Sequence, residues 1–130
     1  MSVARILIVD DDPPIRRLTG AVLRRAGHSV EEARNGVEAV HLIEQFDFDV
    51  VLLDLMMPTM NGFELIEWLR TRAPKLLPCT IVMTAAADRD LVRLQSEDVF
   101  RVIRKPFDLN DLVDSVQRCA MLKTEAPSAE

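Results

Sequence analysis

Four short apolar runs, each ending at a residue with a reactive side chain, constrain the fold of this chain more than any other feature. The runs cover residues 6–9, 50–53, 81–83 and 102–103, and they lead into Asp10, Asp54, Thr84 and Lys105, the last after Arg104. Short, nearly continuous, β-branched runs are typical of strands buried on both faces of a parallel sheet. Ligands bind such sheets at the carboxyl ends of the strands, so these side chains are predicted to meet in one pocket.

Helical patterns fill the segments between the runs, which is typical of an α/β fold. Pro13 and Pro14 suit the first turn of a helix that Asp12 can cap and Gly27 ends. The predicted apolar stripe of this helix consists of Ile15, Leu18, Val22 and Leu23. Residues 28–33 predict a short second strand, weak enough in apolar character to lie at a sheet edge.

Asparagines mark the starts of two further helices. Asn35 and Asn61 each stand three residues before a glutamate, in a pattern close to the capping box. Residues 88–95 predict a short charged helix, and the last helix is predicted to begin at Asp108 and to fade after Met121. We therefore expect one domain over residues 1–122, with residues 123–130 as a polar tail or the start of a linker.

Length and charge narrow the function classes. A chain of 130 residues fits a single domain, and its net charge of −5 disfavours direct binding of nucleic acid. No apolar run approaches the ~20 residues of a membrane span, which predicts a cytoplasmic protein without membrane insertion. The two histidines, His28 and His41, are expected to be solvated surface residues.

The carboxylates at the strand ends need positive charge. Asp10, Asp11 and Asp54 repel one another if they meet, and Lys105 offers only one positive charge, so a divalent cation is the expected partner. The available ligands are all oxygens, which favours Mg²⁺, or Mn²⁺ in vitro. The alternative is that the consecutive aspartates Asp10 to Asp12 only cap a helix and solvate a loop.

The chain resembles the response regulator receiver domains of two-component phosphorelay signalling. Four motifs carry the resemblance: Ile-Leu-Ile-Val-Asp10-Asp11, Leu-Leu-Asp54-Leu-Met-Met-Pro58-x-Met-Asn-Gly62, Val-Met-Thr84-Ala85 and Lys105-Pro106-Phe107. Each is weak alone, but together they occur in order over nearly the whole chain. The resemblance implies a flavodoxin-like, doubly wound α/β fold, a (βα)5 domain with five parallel strands in the order 2-1-3-4-5 and five helices.

The resemblance also implies roles for the acidic residues. Asp54 accepts a phosphoryl group from the phosphohistidine of a sensor histidine kinase or a phosphotransfer protein. Asp11, Asp54 and the backbone carbonyl of Met56 hold Mg²⁺, with Asp10 acting through water. Such a chain is a signalling switch and not an enzyme, since it catalyses only its own phosphorylation and slow autodephosphorylation.

Thr84 and Lys105 complete the implied site. The Thr84 hydroxyl donates to a phosphoryl oxygen and draws the following loop inward, while Lys105 balances the phosphoryl charge. The resemblance points to a cis bond before Pro106, which aims the lysine into the pocket. Gly62 has two interpretations, as a helix-start residue or as a loop hinge beside Asp54.

Two departures from the family pattern concern the output and the lifetime of the phosphate. Val102 stands where the family often has an aromatic residue, three positions before Lys105. Phe100 lies on the same face of an ideal strand and is either a substitute or a packing residue. Met56 and Ala86 cannot orient an attacking water by hydrogen bonding, which predicts slow intrinsic dephosphorylation.

Charged residues indicate two partner surfaces. Arg16 and Arg17, near Ile15 and Leu18, predict either a contact with the phosphodonor or a solvated basic face. A second set lies on the last strand and the last two helices, which the family numbers β5, α4 and α5 in its own scheme and through which it usually contacts a downstream protein or a second copy of itself. Its members are Arg89, Arg93, Arg101, Arg104, Gln117 and Arg118.

Other classes of function stay open. An enzyme that turns over small phosphate esters through an aspartyl intermediate would need an acid–base aspartate two residues after Asp54, where Met56 stands. A binding module that never takes phosphate would lack the acceptor or the lysine, and both are present. A nucleotide-binding interpretation is weaker, since no glycine-rich loop follows the first strand.

Overall fold

The structure is a computed structural model that describes residues 4–57, 60–85, 99–105 and 107–125, with side chains described up to residue 122. Its strands are β1 (Arg5–Val9), β2 (Ser29–Ala33), β3 (Val50–Asp54), β4 (Thr80–Thr84) and β5 (Arg101–Arg104). Its α-helices within these ranges are α1 (Pro13–Arg25), α2 (Gly36–Gln45), α3 (Gly62–Arg72) and α4 (Leu109–Glu125). A 3₁₀ helix, Pro74–Cys79, leads into β4.

The five strands form one parallel sheet in the order β2-β1-β3-β4-β5, as predicted. Val9 at the end of β1 pairs with Leu53, so Asp10 and Asp54 are the next residues on neighbouring strands. Thr84 at the end of β4 is in register with Arg104 at the end of β5. The sheet therefore places all four predicted strand ends along one edge, which we call the carboxyl edge.

Helices cover both faces of the sheet, and successive strand residues alternate between them. The α2–α3 cluster on one face includes Leu7, Val9, Val51, Leu53, Val82, Ala39, Leu65 and Leu69. The α1–α4 cluster on the other face includes Ile6, Ile8, Leu52, Ile81, Leu23, Leu112 and Val116. Fully burying one such side chain stabilises the fold by about 2 kcal/mol, so these two layers hold the strand ends in place.

The two asparagine-initiated helices differ in how their capping is completed. The Asn61 side chain accepts from the Glu64 N–H at 3.0 Å, and the Glu64 carboxylate accepts from the Asn61 N–H at 2.9 Å, which confirms the capping box. Asn35 accepts from the Glu38 N–H at 2.9 Å, but the Glu38 carboxylate bonds the backbone of Arg34, one residue earlier.

Helix α1 begins and ends where the sequence predicts, but its buried stripe differs. Gly27, just past the helix, adopts a φ of 100°, a conformation that glycine reaches without strain. Asp12 occupies the N-cap position without a side-chain capping bond. The prediction that Leu18 belongs to the buried stripe is wrong, since it is 50 % exposed while Thr19 and Leu23 are buried.

His28 is buried, which corrects the expectation of a solvated residue, whereas His41 is exposed as expected. The Nδ1 atom of His28 accepts a hydrogen bond from the Ala4 N–H at 3.1 Å, just before β1. Burial lowers the pKa of His28 below its usual value. This imidazole therefore belongs to the interior at the amino edge of the sheet, opposite the carboxyl edge.

The C-terminal helix α4 runs to Glu125, past the predicted fading point at Met121. The proposed boundary at residue 122 stays a prediction. The expected helix over 88–95 and the expected cis bond at Pro106 lie outside the described residues. Within the described part of the chain, none of the helices combines the length and the apolarity that crossing a membrane requires.

Candidate functional site

Three aspartates meet at the carboxyl edge. Asp10 follows β1, Asp54 ends β3, and one carboxylate oxygen from each of Asp10, Asp11 and Asp54 lies within 4.8 Å of the others. Asp10 is fully buried, Asp54 is 5 % exposed, and Asp11 is open to solvent. The structure thus groups the acidic residues that the sequence predicted, with one of them accessible from outside. We call this group the acid cluster.

Each buried carboxylate divides its two oxygens between the backbone and a lysine. Asp10 Oδ1 accepts from the Asp12 N–H at 2.9 Å, and Asp54 Oδ1 accepts from the Met56 N–H at 3.1 Å. The Lys105 ammonium donates to Asp10 Oδ2 at 3.0 Å and to Asp54 Oδ2 at 3.3 Å. The Lys105 side chain therefore links the ends of β1 and β3 to the end of β5.

The charges at the cluster are only partly compensated. Burial raises the pKa of the Asp54 carboxyl, and the Met56 N–H and the Lys105 ammonium oppose that shift without cancelling it. Burial also acts to lower the pKa of Lys105, but its bonds and charge interactions with Asp10 and Asp54 outweigh burial and raise the pKa. Within the cluster the charged form of Lys105 is therefore stabilised, whereas burial destabilises the charged form of Asp54.

Thr84 lies on the strand between Asp54 and Lys105. It is fully buried at the end of β4, and its carbonyl accepts a hydrogen bond from the Lys105 N–H at 2.9 Å. This bond continues the β4–β5 pairing one residue past the strand. The predicted threonine and lysine are therefore held side by side at the carboxyl edge.

Arg16 holds the backbone of Asp10 in place, a role that was not predicted from the sequence. Its Nη1 donates to the Asp10 carbonyl oxygen at 2.8 Å, and its Nε pairs with Glu32 at 3.2 Å. Only 13 % of the Arg16 side chain is exposed. Arg16 therefore does not present the free basic head that a partner surface needs, whereas Arg17 is exposed. Nothing in the sequence distinguished these adjacent arginines.

Gly62 is the first residue of α3, which confirms the helix-start interpretation, and it also lies against the backbone next to Asp54. A Cβ at Gly62 would lie 2.5 Å from the Leu55 Cα and 2.6 Å from the Asp54 carbonyl oxygen. The Gly62 N–H donates to the Leu55 carbonyl at 2.9 Å. Glycine is needed here because the start of α3 presses against the backbone that immediately follows the candidate nucleophile.

Val102 and Phe100 pack on opposite sides of the sheet. Val102 contacts the α2–α3 cluster, and Phe100 contacts the α1–α4 cluster. The interpretation of Phe100 as a substitute aromatic on the same face is therefore wrong. Strict alternation does not extend to Phe100 because β5 begins only at Arg101, after a bend.

An apolar cavity of about 470 Å³ opens beside the acid cluster. Lys105 and Asp12 lie on its lining, together with Ile15, Leu18, Thr19, Ala85, Phe107 and Leu109. Leu18, which is half exposed, shares this lining with Lys105 of the charged site. This arrangement suits a partner that brings an anionic group to Lys105 while burying its own apolar side chains.

The acid cluster can perform two related kinds of chemistry. Oxygen ligands at this spacing suit a hard divalent cation with few carboxylates and several waters. A carboxylate held beside an ammonium also suits attack on a phosphoryl group, whose transfer depends on positioning and charge compensation.

Comparison with known proteins assigns these features to one family. The chain matches the model of the response regulator receiver domain over residues 6–117. It is 36 % identical to protein PilH of Pseudomonas aeruginosa over 115 residues, covering 88 % of this chain and 95 % of PilH. It is 31 % identical to sporulation initiation phosphotransferase F of Bacillus subtilis, covering 92 % and 96 %.

Longer relatives and solved structures agree. The chain is 36 % identical to the regulatory protein AtoC of Escherichia coli over 95 % of its own length but spans only 26 % of AtoC. A CheY-like receiver domain protein from Methanospirillum hungatei superposes with a TM-score of 0.85 at 31 % identity, covering 95 % of this chain and 98 % of that one. TrrA from Thermotoga maritima, solved in complex with Mg²⁺–BeF, gives 0.78 at 30 % identity, covering 88 % and 97 %.

Proposed function

The chain belongs to the response regulator receiver family, and from that premise we propose that it is a Mg²⁺-dependent phosphoacceptor switch with Asp54 as the acceptor. The proposed donor is the phosphohistidine of a sensor histidine kinase or a phosphotransfer protein, in the cytoplasm. The observation that carries the proposal is the meeting of three carboxylates and one ammonium at the carboxyl edge.

The acid cluster fits a magnesium ion by its donor set and by its charge. All its ligand atoms are oxygens, and one ammonium, that of Lys105, lies among three carboxylates, which supports the binding of a further cation. We assign Asp11, Asp54 and the Met56 carbonyl as ligands, with Asp10 acting through water; Mn²⁺ should replace Mg²⁺ in vitro. The bound cation supplies positive charge for the oxygens of the transferring phosphoryl group.

In the proposed transfer, an Asp54 carboxylate oxygen forms a bond to phosphorus as the donor's P–N bond breaks. The donor histidine keeps the electron pair, and Asp54 becomes an acyl phosphate. Lys105, already 3.3 Å from Asp54, pairs with a phosphoryl oxygen, and the Thr84 hydroxyl donates to another. These contacts favour an inward position of the loop after β4, which makes the modification a switch.

The lifetime of the acyl phosphate depends on access of water. The Met56 side chain is 55 % exposed next to Asp54 and has no strong hydrogen-bonding group for a water. Ala86, beyond the described residues, is equally unable to bond a water. The proposed intrinsic dephosphorylation is therefore slow, and a double variant with Met56→Asn and Ala86→Glu should lose its phosphate faster.

The phosphodonor is proposed to dock on the apolar cavity beside the cluster. Leu18, Ile15 and Phe107 offer apolar surface there, and Arg17, exposed on the same helix as Leu18, offers basic charge. The donor's apolar contacts would then position its phosphohistidine near Lys105. Arg16 is not part of this surface, because it is engaged by Glu32 and Asp10.

The output surface is proposed to comprise β5 and the exposed face of α4. Arg101 pairs with Asp111 at 3.0 Å, and Arg118 pairs with Asp114, so these arginines already belong to surface ion pairs. Arg89 and Arg93 lie outside the described residues. A downstream protein or a second copy would bind by replacing these weak exposed pairs with its own charges.

Incubation with acetyl phosphate and Mg²⁺ tests the proposal. Intact-mass measurement should show one added phosphoryl group in the wild type, none without Mg²⁺, and none in Asp54→Asn. A Lys75→Met variant, changed at an exposed lysine in the 3₁₀ helix that precedes β4, should behave as wild type. Catalytic release of phosphate from small esters would support the rival enzyme, and an unmodified wild type would support a binding module that takes no phosphate.

A further inference from the structure

The turn between β2 and α2, residues 33–36, is hydrogen-bonded both to the chain just after β1 and to the chain after β3. The Ala33 carbonyl at the end of β2 accepts a hydrogen bond from the Asp10 N–H at 3.1 Å. Three residues later, the Gly36 N–H donates to the Met60 carbonyl at 3.2 Å. One turn therefore connects the strand end that carries Asp10 with the loop that follows Asp54.

Gly36 allows a backbone approach that no other residue permits. A Cβ at Gly36 would lie 2.6 Å from the Met60 Cγ, 2.8 Å from its Cβ and 2.7 Å from its carbonyl oxygen. Contacts this short do not persist in folded proteins, so the loop would have to move. Because one clashing atom belongs to the backbone, a new rotamer of Met60 does not make room.

The turn is braced on its own side, so the clash would displace the loop and not the turn. Asn35 caps α2 by accepting from the Glu38 N–H, and Glu38 pairs with the Arg34 side chain at 2.7 Å. The Glu38 carboxylate also accepts from the Arg34 N–H at 3.0 Å, and this bond lowers the pKa of Glu38. Ala33 is fully buried in the α2–α3 cluster.

The loop that would move is the one that carries the proposed cation ligand. It is closed at its base by the bond from the Gly62 N–H to the Leu55 carbonyl. Met57 is buried in the α2–α3 cluster, and Met60 is tied to Gly36. Met56 precedes Met57 in this loop, and its N–H is bonded to Asp54 Oδ1. Met56 and Met60 therefore belong to one short loop closed at its base, so moving Met60 changes the path of the backbone that carries the Met56 carbonyl.

We propose that Gly36 is a positioning residue for the cation site, through the contact of its backbone with Met60. This inference rests on the proposed function, since it assigns Gly36 a part in Mg²⁺ binding by Asp54 and the Met56 carbonyl. Gly36 touches neither the cation nor the phosphoryl group. It sets where the ligand-bearing loop lies relative to Asp10.

A Gly36→Ala variant tests the proposal, with Ala39→Gly as the matched control. Ala39 is buried one turn further along α2, so its replacement by glycine weakens the helix without adding an atom near Met60. Isothermal titration with Mg²⁺ should show an affinity about tenfold lower in Gly36→Ala, as for other residues that orient metal ligands. Ala39→Gly should retain wild-type affinity despite its lower resistance to urea.

The Mg²⁺ dependence of the phosphorylation rate and a second variant complete the test. Gly36→Ala should need more Mg²⁺ for half-maximal phosphorylation by acetyl phosphate, while its rate at saturating Mg²⁺ stays near that of the wild type.

If Gly36→Ala does not fold, Asn35→Ala loosens the turn without a clash and should weaken Mg²⁺ binding several-fold. Unchanged Mg²⁺ affinity in the folded variant, or an equal loss in Ala39→Gly, overturns the proposal. A wild type that binds no Mg²⁺ instead overturns the proposed function.

Discussion

The carboxyl edge of the sheet brings like charges together, whereas the amino edge joins complementary groups. At the carboxyl edge, buried Asp10 and Asp54 share the single ammonium of Lys105. At the amino edge, Arg5 and Asp49 bond each other twice, with the Arg5 N–H donating to Asp49 Oδ2 at 2.8 Å and the Asp49 N–H donating to the Arg5 carbonyl at 2.7 Å.

The two edges of the sheet are stabilised in different ways. At the amino edge, backbone groups bond to each other and to the Asp49 carboxylate, and the buried His28 imidazole accepts a backbone hydrogen bond. The carboxyl edge instead depends on one lysine and, in the proposed function, on a cation from solution. Buried like charges that need an external partner are typical of functional sites, because a fold selected only for stability would not bring them together.

Among the substitutions that test this difference between the two edges, Lys105→Met should change stability and phosphorylation the most. It leaves two buried carboxylates without a counter-charge, which should lower the free energy of unfolding by about 3 kcal/mol in Mg²⁺-free buffer. Phosphorylation by acetyl phosphate should slow by about 10²-fold. Urea denaturation and intact-mass kinetics measure the two effects. A stability loss no larger than that of Lys75→Met would mean that the carboxyl edge is not under electrostatic strain.

Gly62→Ala should have the next largest effect, because its clash is with backbone at Leu55 and Asp54. We expect the free energy of unfolding to fall by about 2 kcal/mol. Gly20→Ala is the control, since its Cβ would meet only the flexible ends of Glu32 and Arg24, at 3.0 and 3.2 Å. That variant should be unchanged or more stable by up to about 1 kcal/mol. Equal effects from both substitutions would remove the special role of the backbone contact after Asp54.

At the amino edge, His28 should make a smaller, pH-dependent contribution. Its pKa is lowered in the folded state, so below about pH 6.5 the unfolded chain binds a proton that the folded chain does not. Stability should therefore fall as the pH decreases through that value, and urea denaturation between pH 7 and pH 5.5 measures the slope. His28→Gln should lose this dependence and His41→Gln should keep it. The same pH slope in wild type and His28→Gln would place its source elsewhere, for example in the acid cluster.

The sequence predicted the sheet order and the grouping of the acid cluster, because both follow from local patterns. Apolar runs identify buried strands, and the parallel arrangement carries their terminal residues to one edge. Asp10, Asp54, Thr84 and Lys105 could be placed on that edge without knowledge of any long-range contact. Their separate roles came from the family resemblance.

Features that depend on long-range packing could not be predicted. His28 looks like a surface residue until β1 is seen to place Ala4 beside it, and Gly36 looks like an ordinary helix start until Met60 is seen against it. Phe100 was assigned to the wrong face because the bend before β5 interrupts the alternation. In each case the deciding contact joins residues distant in the chain or lies at the end of an element.

The free energy of unfolding with and without Mg²⁺, at constant ionic strength, tests the central claim most directly. If the acid cluster is a cation site under electrostatic strain, Mg²⁺ at ten times its dissociation constant should stabilise the wild type by about 1.4 kcal/mol. Asp54→Asn, which removes one ligand and one of the crowded charges, should gain much less. A wild type whose stability does not change at any Mg²⁺ concentration, or an Asp54→Asn variant that gains as much, would contradict the account.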